Sequence, residues 1–255
     1  MLVSILTCTL NSEKTIKDCC SSISQQTYNN IEHIVIDKSS NDKTRSICKQ
    51  SKIENQKVIE QKNTGIYSAL NEGIIESTGD IIGILHSDDE LYDRGVINKI
   101  VKKFENEEIN ILFSNLIYIN KNNPSSILRT WKSNIKEGIQ SKDLILKKIN
   151  NGWMAPHPTI FVKKDLLNEI QMNYDEKFRI SSDYDFIIRL FKNKKSKIFF
   201  LNEFTIKMKS GGASNKNIRN IIIKMFEDFE ILKKNKINPI KAIVFKNLSK
   251  ITQFF

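Results

Sequence analysis

The first half of the chain contains two kinds of block that follow each other in turn: short apolar runs, and stretches in which apolar residues recur at helical spacing. Four short blocks rich in Ile, Val and Leu, each bounded by polar turn residues, predict β-strands at residues 2–10, 31–37, 58–60 and 80–85. The blocks between them have helical spacing and predict helices at about 12–26, after Asn41 or Asp42, and at 66–76. Strands separated by helices in this way predict a mostly parallel sheet with helices on both faces.

The second half is less regular but continues the α/β pattern. Further strands are predicted at residues 109–119, 126–132, within 156–164 and at 197–209, and a capped helix at 181–192. From residue 216 the apolar residues recur at helical spacing, in two stripes divided by Pro239. The stripes are Ile218, Ile221, Ile222, Met225, Phe226, Phe229 and Leu232, then Ile240, Ile243, Val244, Leu248, Ile251 and Phe255. The pattern predicts an α/β domain at 1–215 and a basic helical tail at 216–255.

Positive charge is concentrated near the C-terminus. The formal net charge is +11, and residues 207–255 hold eleven Lys or Arg against three acidic residues, a net of +8. No nucleic-acid motif or platform of aromatic and basic residues accompanies this charge, so nucleic acid is not a predicted partner. Basic residues interleaved with apolar stripes favour binding to an anionic membrane surface. Packing of the tail on the domain, or a homodimer interface, is the alternative interpretation.

Cysteine use and the N-terminus both indicate a cytoplasmic protein. The four cysteines, Cys8, Cys19, Cys20 and Cys48, form no CxxC pair and have no zinc-ligand spacing with histidine. The first residues lack the basic region of a signal peptide and are better interpreted as a strand. No stretch approaches the ~18 apolar residues needed to cross a bilayer. We therefore expect a cytoplasmic chain, with the tail as a possible peripheral contact on the inner face of the cell membrane.

The stretch IIGILHSDDELYD, residues 81–93, ends an apolar strand in two adjacent carboxylates. Asp88 and Asp89 repel each other unless a cation or hydrogen-bond donors compensate them. Mg²⁺ or Mn²⁺ shared with a diphosphate is one compensator, because these ions prefer oxygen ligands and often take only one or two carboxylates. For this stretch alone, a solvated loop with Asp88 as a helix cap is the simpler interpretation. Asp37 also follows a predicted strand, and because ligands bind at the carboxyl ends of parallel strands, we expect one shared crevice.

Several motifs occur in an order that resembles one enzyme family. SILTCTLNSEKTIKDCCSSISQQTYNNIEHIVIDKSSNDKT, NTGIYSALNEG, a TGD turn and SDD follow one another between residues 4 and 89. Together they resemble the inverting family 2 glycosyltransferases of GT-A fold, over about residues 2–214. The resemblance implies a Rossmann-like, mostly parallel sheet flanked by helices with a C-terminal helical extension. It also implies a nucleotide-sugar-binding half at 1–120 and an acceptor half at 121–215.

The resemblance assigns roles to individual residues. The donor-binding positions it implies are Thr7, Asn11, Glu13, Asp37, Lys62, Gly65, Asn71 and Asp88, with Asp37 accepting a hydrogen bond from the nucleotide base. Asp89 corresponds to the aspartate that holds the metal, Mn²⁺ or Mg²⁺. FRISSDYDFIIRL resembles the segment that carries the general base for the acceptor, which makes Asp183 the predicted base and Asp185 its competitor. His157, between two prolines, is either a structural loop residue or a ligand of the diphosphate or metal.

The implied reaction is the transfer of one sugar from a nucleoside-diphosphate sugar, with a UDP-sugar favoured. The acceptor would be a hydroxyl of a saccharide or lipid-linked saccharide in the synthesis of lipopolysaccharide, capsule or another cell-surface polysaccharide. The QxxRW motif of processive synthases is absent from the sequence, which favours single sugar addition. A nucleotidyltransferase is the main alternative, but TCTLNSEKT lacks the glycines of its phosphate loop. A non-catalytic sugar-nucleotide-binding protein is the other alternative, if Asp183 is not the base.

Overall fold

A computed structural model describes residues 1–121, 123–210 and 218–251 of the chain. The predicted domain boundary at 215 and the last apolar position of the tail, Phe255, lie outside the described residues. The side chains of Leu248 and Ile251 also lie outside them. Within the described residues, no helix combines the length and the apolar character needed to cross a membrane.

The strands form one mixed sheet in which the parallel strands dominate. In chain order they are β1 Val3–Thr9, β2 Ile31–Asp37, β3 Asn55–Glu60, β4 Ile81–Ile84, β5 Glu90–Leu91, β6 Ile111–Asn120, β7 Asn123–Trp131, β8 Gly138–Ile139, β9 Phe161–Lys163 and β10 Ile198–Lys209. The main order is β3-β2-β1-β4-β9-β6-β10-β5, with β7 beside β6 and β8 beside β10. Strands β1 to β4 are mutually parallel, as are β6 and β10, while β9 runs antiparallel between β4 and β6. The predicted α/β class with a mostly parallel sheet is confirmed.

Helices cover both faces of the sheet and bury two apolar cores. They are α1 Ile16–Ser24, α2 Thr44–Lys49, α3 Ile66–Glu76, α4 Val96–Asn106, α5 Lys142–Asn150, α6 Lys164–Glu169, α7 Ser182–Lys192, α8 Ile218–Lys234 and α9 Pro239–Ile251. One core packs α1, α2 and α4 on the sheet, and the other packs α3 and α5 to α9 on the opposite face. Because the parallel strands are covered on both sides, their carboxyl ends are the part that remains available for a site.

The end of β4 is held in place by a close approach to the antiparallel strand β9. Gly83 pairs with Phe161, and a Cβ on Gly83 would lie 2.3 Å from the Phe161 ring. Only glycine therefore fits at this position without moving the ring. The contact fixes the strand that leads directly into the acidic loop at residues 86–89.

The tail packs on the domain with one face of each helix. Ile231, Leu232 and Ala242 are buried in the core that includes α7. Lys246 of α9 and Asp228 of α8 form an ion pair at 2.8 Å that is also buried. The other face of the tail remains exposed, and Phe226 and Ile240 show 73% and 74% of their surface. The tail therefore combines packing on the domain with a separate apolar surface.

Candidate active site

The carboxyl ends of β1, β2 and β3 lie side by side and carry polar side chains. Thr9 pairs with Asp37, and Asp37 pairs with Glu60, so the three residues stand in one line across the sheet. The Asp37 carboxylate is fully buried and accepts from Thr9 Oγ1 at 2.7 Å. It also accepts from Arg45 Nε at 2.5 Å and from the hydroxyl and backbone N–H of Ser40 at 2.5 and 3.0 Å. These four donors occupy the four acceptor positions of a carboxylate.

The charge state of Asp37 follows from these bonds. Burial alone would raise its pKa, but the hydrogen bonds from Ser40, Thr9 and Arg45 hold the pKa of Asp37 below its usual value. Arg45 is the donor with access to solvent, since 38% of its side chain is exposed, and its other end lies 3.6 Å from Glu60. A nucleotide base can reach the Asp37 carboxylate only where Arg45 or another donor gives up its bond.

Three loops after the parallel strands are joined by hydrogen bonds. Asn11, in the left-handed region at φ 51°, accepts from the backbone N–H of Asn41 at 2.9 Å. The Glu13 carboxylate accepts from the backbone N–H of Lys43 at 3.2 Å. Ser12 and Ser87 are joined through their hydroxyls at 3.0 Å, which connects the loop after β1 to the acidic loop after β4. Asn11 and Glu13 thus join the loop after β1 to the loop after β2 at the carboxyl ends of these strands.

Thr7 does not reach the surface of the crevice. Its side chain is fully buried, and its hydroxyl lies 3.0 Å from His33 Nε2. The described arrangement therefore gives no support to donor binding by Thr7. Thr9, two residues further on, holds Asp37 instead, and the sequence signal for it was its place at the strand end immediately before the polar loop.

The segment around Gly65 and the middle of α3 have structural hydrogen bonds of their own. Gly65 adopts φ 97°, a conformation that L side chains rarely take, although the space that a Cβ would occupy there is open to 4 Å. The backbone N–H of Lys62 donates to Glu72 at 2.9 Å, which fixes the turn that carries the exposed lysine side chain. The Asn71 side chain exchanges hydrogen bonds with the backbone of Tyr174 at 3.0 and 2.8 Å. Asn71 therefore fixes the segment before α7 rather than presenting a free amide.

Two of the acidic residues that follow β4, Glu90 and Asp89, differ in how well their carboxylates are satisfied by the described residues. Glu90 lies 3.2 Å from the buried ammonium of Lys209, which also binds Asp18 at 2.7 Å. The Asp89 carboxylate is buried, and its Oδ1 accepts a long bond of 3.4 Å from the backbone N–H of Lys209. Its Oδ2 has no hydrogen-bond partner in the described part of the chain. Burial and the neighbouring Asp88 carboxylate raise the pKa of Asp89 well above its usual range.

These carboxylates fit part of a divalent metal site. Within residues 1–121, 123–210 and 218–251, no group of three or more His, Cys, Asp or Glu side chains could hold a metal ion by itself. Asp89 Oδ2 is nevertheless buried without a described partner, and it belongs to the residue next to the half-buried Asp88. A hard cation bound to this oxygen would satisfy it. The remaining ligands would have to come from diphosphate oxygens, which is how Mg²⁺ is commonly bound.

The structure separates the two candidate bases on α7. Asp183 is half-buried, and its Oδ1 accepts from the backbone N–H of Tyr184 at 2.8 Å and lies 3.3 Å from the Tyr67 hydroxyl. Asp185 is fully buried and forms ion pairs with Arg189 at 2.6 Å and Lys234 at 3.2 Å. Both of these contacts fall on Oδ1, and no partner of Oδ2 is described, whereas Asp185 has the features of a structural residue.

His157 is buried, and it is close enough to Asp183 for that carboxylate to act on its pKa. Its Nε2 is 2.8 Å from the Tyr174 hydroxyl, and its ring centroid is 6.3 Å from that of His86. Burial lowers the pKa of His157 to about 4, against the opposing effect of the Asp183 carboxylate. Burial likewise lowers the pKa of His86, which the negative charges of Asp88 and Asp183 oppose. Both rings are therefore neutral near pH 7, and His86 lies within the electrostatic influence of both ends of the site.

Solved structures in complex with nucleotide sugars share this architecture. The chain superposes on S. aureus TarS 1-349 in complex with UDP-GlcNAc with a TM-score of 0.72 and 20% identity, covering 91% of this chain and 67% of that one. It also superposes on the mannosyltransferase PcManGT from Pyrobaculum calidifontis, in complex with GDP-Man and Mn2+, with a TM-score of 0.64 and 14% identity, covering 96% and 68% of the two chains. At these identities the likeness shows the fold, which is that of the GT-A glycosyltransferases.

The sequence comparisons identify the family within that class. The model of Glycosyl transferase family 2 matches residues 4–171, and the chain belongs to glycosyltransferase family 2. An uncharacterized glycosyltransferase of Methanocaldococcus jannaschii is 28% identical over 219 residues, covering 84% of this chain and 72% of that protein. A PGL/p-HBAD biosynthesis glycosyltransferase of Mycobacterium bovis is 28% identical over 196 residues, covering 75% and 70%. The predicted class of enzyme is confirmed, and Asp183 lies beyond the matched residues.

Proposed function

We propose that this chain transfers a single sugar from a UDP-sugar to a hydroxyl of a saccharide or lipid-linked saccharide, with inversion at the anomeric carbon. The observation that carries the proposal is that two unlike acidic groups lie close enough to His86 to act on its pKa: Asp88, the neighbour of Asp89, and Asp183. Asp89, with an oxygen that lacks a described partner, suits the donor diphosphate, whereas the more accessible Asp183 suits the acceptor. UDP-GlcNAc in the TarS complex supports a uridine nucleotide as the donor class. In this scheme residues 1–120 hold the donor and residues 121–215 face the acceptor.

The donor would lie across the ends of β1, β2 and β4. The base sits against the end of β2, where Asp37 holds Arg45 and Ser40 in place, and Arg45 releases its bond if the base donates to Asp37 directly. The diphosphate reaches Asp88, with Lys62 exposed on the turn before Gly65 as a cation available to phosphate. Asn11 and Glu13 hold the loops that enclose it.

Asp183 would act as the general base. Its Oδ2 takes the proton of the acceptor hydroxyl while that hydroxyl oxygen bonds to the anomeric carbon, and the bond from the anomeric carbon to the diphosphate breaks. The electron pair of the broken bond leaves with the diphosphate. Asp89 and Asp88 would hold Mn²⁺ or Mg²⁺, which supplies positive charge to the departing diphosphate. In this scheme neutral His157, whose Nε2 lies 2.8 Å from the Tyr174 hydroxyl, would contact the diphosphate only if it changed that partner. General base catalysis of this kind contributes ~10²- to 10⁴-fold.

Thermal stabilisation by nucleotides tests the donor side. We expect UDP and UDP-sugars to raise the melting temperature of the protein in the presence of Mn²⁺ or Mg²⁺, because a ligand of the native state stabilises it by mass action. GDP and free phosphate should have a smaller effect. Equal stabilisation by all nucleotides, or stabilisation that is unchanged by chelation of the metal, would contradict a metal-dependent UDP-sugar site. Turnover of a UDP-sugar to a product with the donor's anomeric configuration would contradict the single displacement.

The exposed face of the tail suggests where the acceptor is found. Ile221, Met225 and Phe226 of α8 and Ile240 and Val244 of α9 are exposed apolar side chains. The basic residues Arg219, Lys233, Lys236 and Lys241 are also exposed in this part of the chain. This combination suits an anionic lipid surface, on which apolar side chains insert and each Lys or Arg contributes ~1 kcal/mol. The tail would thus hold the enzyme at the inner face of the cell membrane, next to a lipid-linked acceptor for cell-surface polysaccharide.

Vesicle flotation with point variants tests the membrane contact. We expect Phe226→Asp to reduce flotation with vesicles that contain anionic lipid, because a charge replaces a highly exposed aromatic side chain of α8. Ile75→Asp, which alters an equally exposed residue on α3, is the matched control and should float like the wild type. Equal flotation of both variants would contradict the proposal. A dimer in solution that only Phe226→Asp dissociates would instead assign this face to a second copy of the chain.

A further inference from the structure

Glu227 of the tail helix α8 contacts residues 179–181, the segment that precedes the proposed base Asp183. Glu227 Oε1 accepts from the backbone N–H of Arg179 at 2.8 Å. Glu227 Oε2 accepts from the backbone N–H groups of Ile180 at 2.9 Å and Ser181 at 2.8 Å. Three consecutive backbone donors thus converge on a single side chain that lies 46 to 48 residues away along the chain.

One of these three donors, the N–H of Ser181, belongs to the N-terminus of α7, and the other two lie in the segment just before it. Ser181 is the residue before the first turn of α7, and its own side chain does not cap that end. The N-terminal N–H groups of a helix lack partners within the helix and attract negative charge. Glu227 satisfies the donors that lead into the helix, and hydrogen bonds to a charged acceptor are stronger than neutral ones. The conformation of residues 179–181 therefore depends on α8.

Asp183 receives its position from this segment and from one further contact. The Tyr67 hydroxyl donates to the backbone carbonyl of Ile180 at 2.6 Å and contacts Asp183 Oδ1 at 3.3 Å. Ile180 is thus held on one side by Tyr67 of α3 and on the other by Glu227 of α8. A shift of this residue would move Tyr67 and Asp183 together.

Helix α8 is itself anchored on α7 on the same side. Lys234 lies 3.2 Å from the buried Asp185 carboxylate, and Asn235 Nδ2 donates to Asp185 at 3.2 Å. Ile231 and Leu232, which lie along α8 between these polar contacts and Glu227, are buried. Glu227 is consequently held by a packed helix rather than by a loop. Support from a rigid element of this kind keeps the groups of a site closely in place.

We propose that Glu227 is a positioning residue for the reaction, which holds Asp183 toward the acceptor by fixing residues 179–181. The inference rests on the proposed function, because it takes Asp183 as the base. It assigns to the tail a part in turnover that is separate from its exposed apolar face. Glu227 itself touches neither donor nor acceptor in this arrangement.

Turnover of a pair of matched variants tests the proposal. The assay is UDP release from the UDP-sugar that the wild-type protein turns over fastest, with Mn²⁺ present, on the full chain. We expect Glu227→Ala to lower kcat by about 10-fold or more with the KM for the UDP-sugar unchanged within about 2-fold, since small misplacements of a reacting group have large effects on rate. Glu227→Gln, which keeps an acceptor oxygen, should recover part of the loss. Glu230→Ala removes a carboxylate of the same helix that pairs with the exposed Lys177, and should match the wild type.

A spectroscopic measurement covers the case in which Glu227→Ala also lowers stability. In protein labelled with 3-fluorotyrosine, the resonance of Tyr67, assigned with Tyr67→Phe, reports the contact with Ile180 and Asp183. We expect Glu227→Ala, but not Glu230→Ala, to shift that resonance while UDP still raises the melting temperature. A kcat for Glu227→Ala within about 2-fold of that for Glu230→Ala, or an unchanged Tyr67 resonance, would overturn the inference. If Asp183→Asn keeps full turnover, the proposed base is wrong; if Asp183→Asn is inactive and Glu227→Ala is fully active, only the inference fails.

Discussion

Acidification between pH 7 and pH 5 should destabilise the protein through a buried histidine. His33 on β2 is fully buried, and its Nε2 and Nδ1 lie 3.0 Å from the Thr7 hydroxyl and 2.9 Å from Gln56 Nε2. Because the amide nitrogen of Gln56 donates to Nδ1, Nε2 carries the proton and donates to Thr7. Burial lowers the pKa of His33 to about 3, so the folded protein keeps this ring neutral.

The sign and size of the effect follow from proton linkage. In the unfolded chain His33 titrates near pH ~6.5, so below that pH the unfolded state binds a proton that the folded state does not. The contribution of His33 to the free energy of unfolding is therefore fully present above pH ~6.5. It is lost as the pH falls toward the pKa of about 3 that His33 has in the folded protein. Between pH 7 and pH 5 the loss from His33 alone is ~2 kcal/mol. Carboxylates with lowered pKa values, such as Glu32 with a pKa of about 2, retain their contribution above the unfolded value of ~4.3 and so add little in this window.

Urea unfolding at pH 7 and pH 5 measures this quantity directly. The comparison is between wild type and His33→Asn, and the observable is the change in the free energy of unfolding between the two pH values, not its absolute size. We expect that change to be smaller in His33→Asn by ~2 kcal/mol. The same change in both proteins would refute the assignment of a neutral buried His33.

Three further predictions concern stability at the site. Asp185→Asn should lower the free energy of unfolding by ~2 kcal/mol or more, because it breaks a buried ion pair with Arg189, as thermal or urea unfolding will show. Asp89→Asn should raise the melting temperature in the absence of metal, because it removes a buried carboxylate with an oxygen that lacks a described partner. The same variant should lose the stabilisation by Mn²⁺ with UDP, and an unchanged response to the metal would contradict the prediction. Gly83→Ala should cost ~1–3 kcal/mol, because its Cβ would meet the Phe161 ring, and wild-type stability would contradict that clash.

The parallel part of the sheet was predictable because its signals are local. Strands β1, β2 and β4 are apolar runs with polar turns on both sides, and runs of this kind can be recognised without knowledge of their partners. Strand β3, NQKVIE, is mostly polar, and only its end at 58–60 was predicted. Helix α4 was not predicted, although Val96, Ile97, Ile100, Val101 and Phe104 recur at helical spacing and are buried. The antiparallel position of β9 could not be predicted, because a strand of three residues takes its place from contacts with β4 and β6.

The site was predictable at its strand ends and less so where side chains have partners far along the chain. Asp37 and the Asp88/Asp89 pair were predicted to follow parallel strands at one edge of the sheet, and β2 and β4, which precede them, do lie parallel on either side of β1. The sequence could not show that Arg45 and Ser40 occupy the Asp37 carboxylate, because a residue type does not reveal its hydrogen-bond partners. For the same reason Thr7 was expected at the crevice although its side chain is buried in the interior.

The distinction between the two bases also required the structure. Asp183 and Asp185 are two residues apart on α7, and the sequence leaves them as competitors. Their difference comes from Arg189 and from Lys234 on the tail, which form ion pairs with the buried Asp185, whereas no such pair is described for the half-buried Asp183.

Turnover and nucleotide binding of Asp183→Asn test the central claim most directly. The variant keeps the shape of the side chain and removes its ability to accept a proton. We expect it to lower kcat for UDP-sugar transfer by ~10²-fold or more while UDP with Mn²⁺ raises its melting temperature as in the wild type. Turnover within a few-fold of the wild type, with the same nucleotide stabilisation, would contradict Asp183 as the general base.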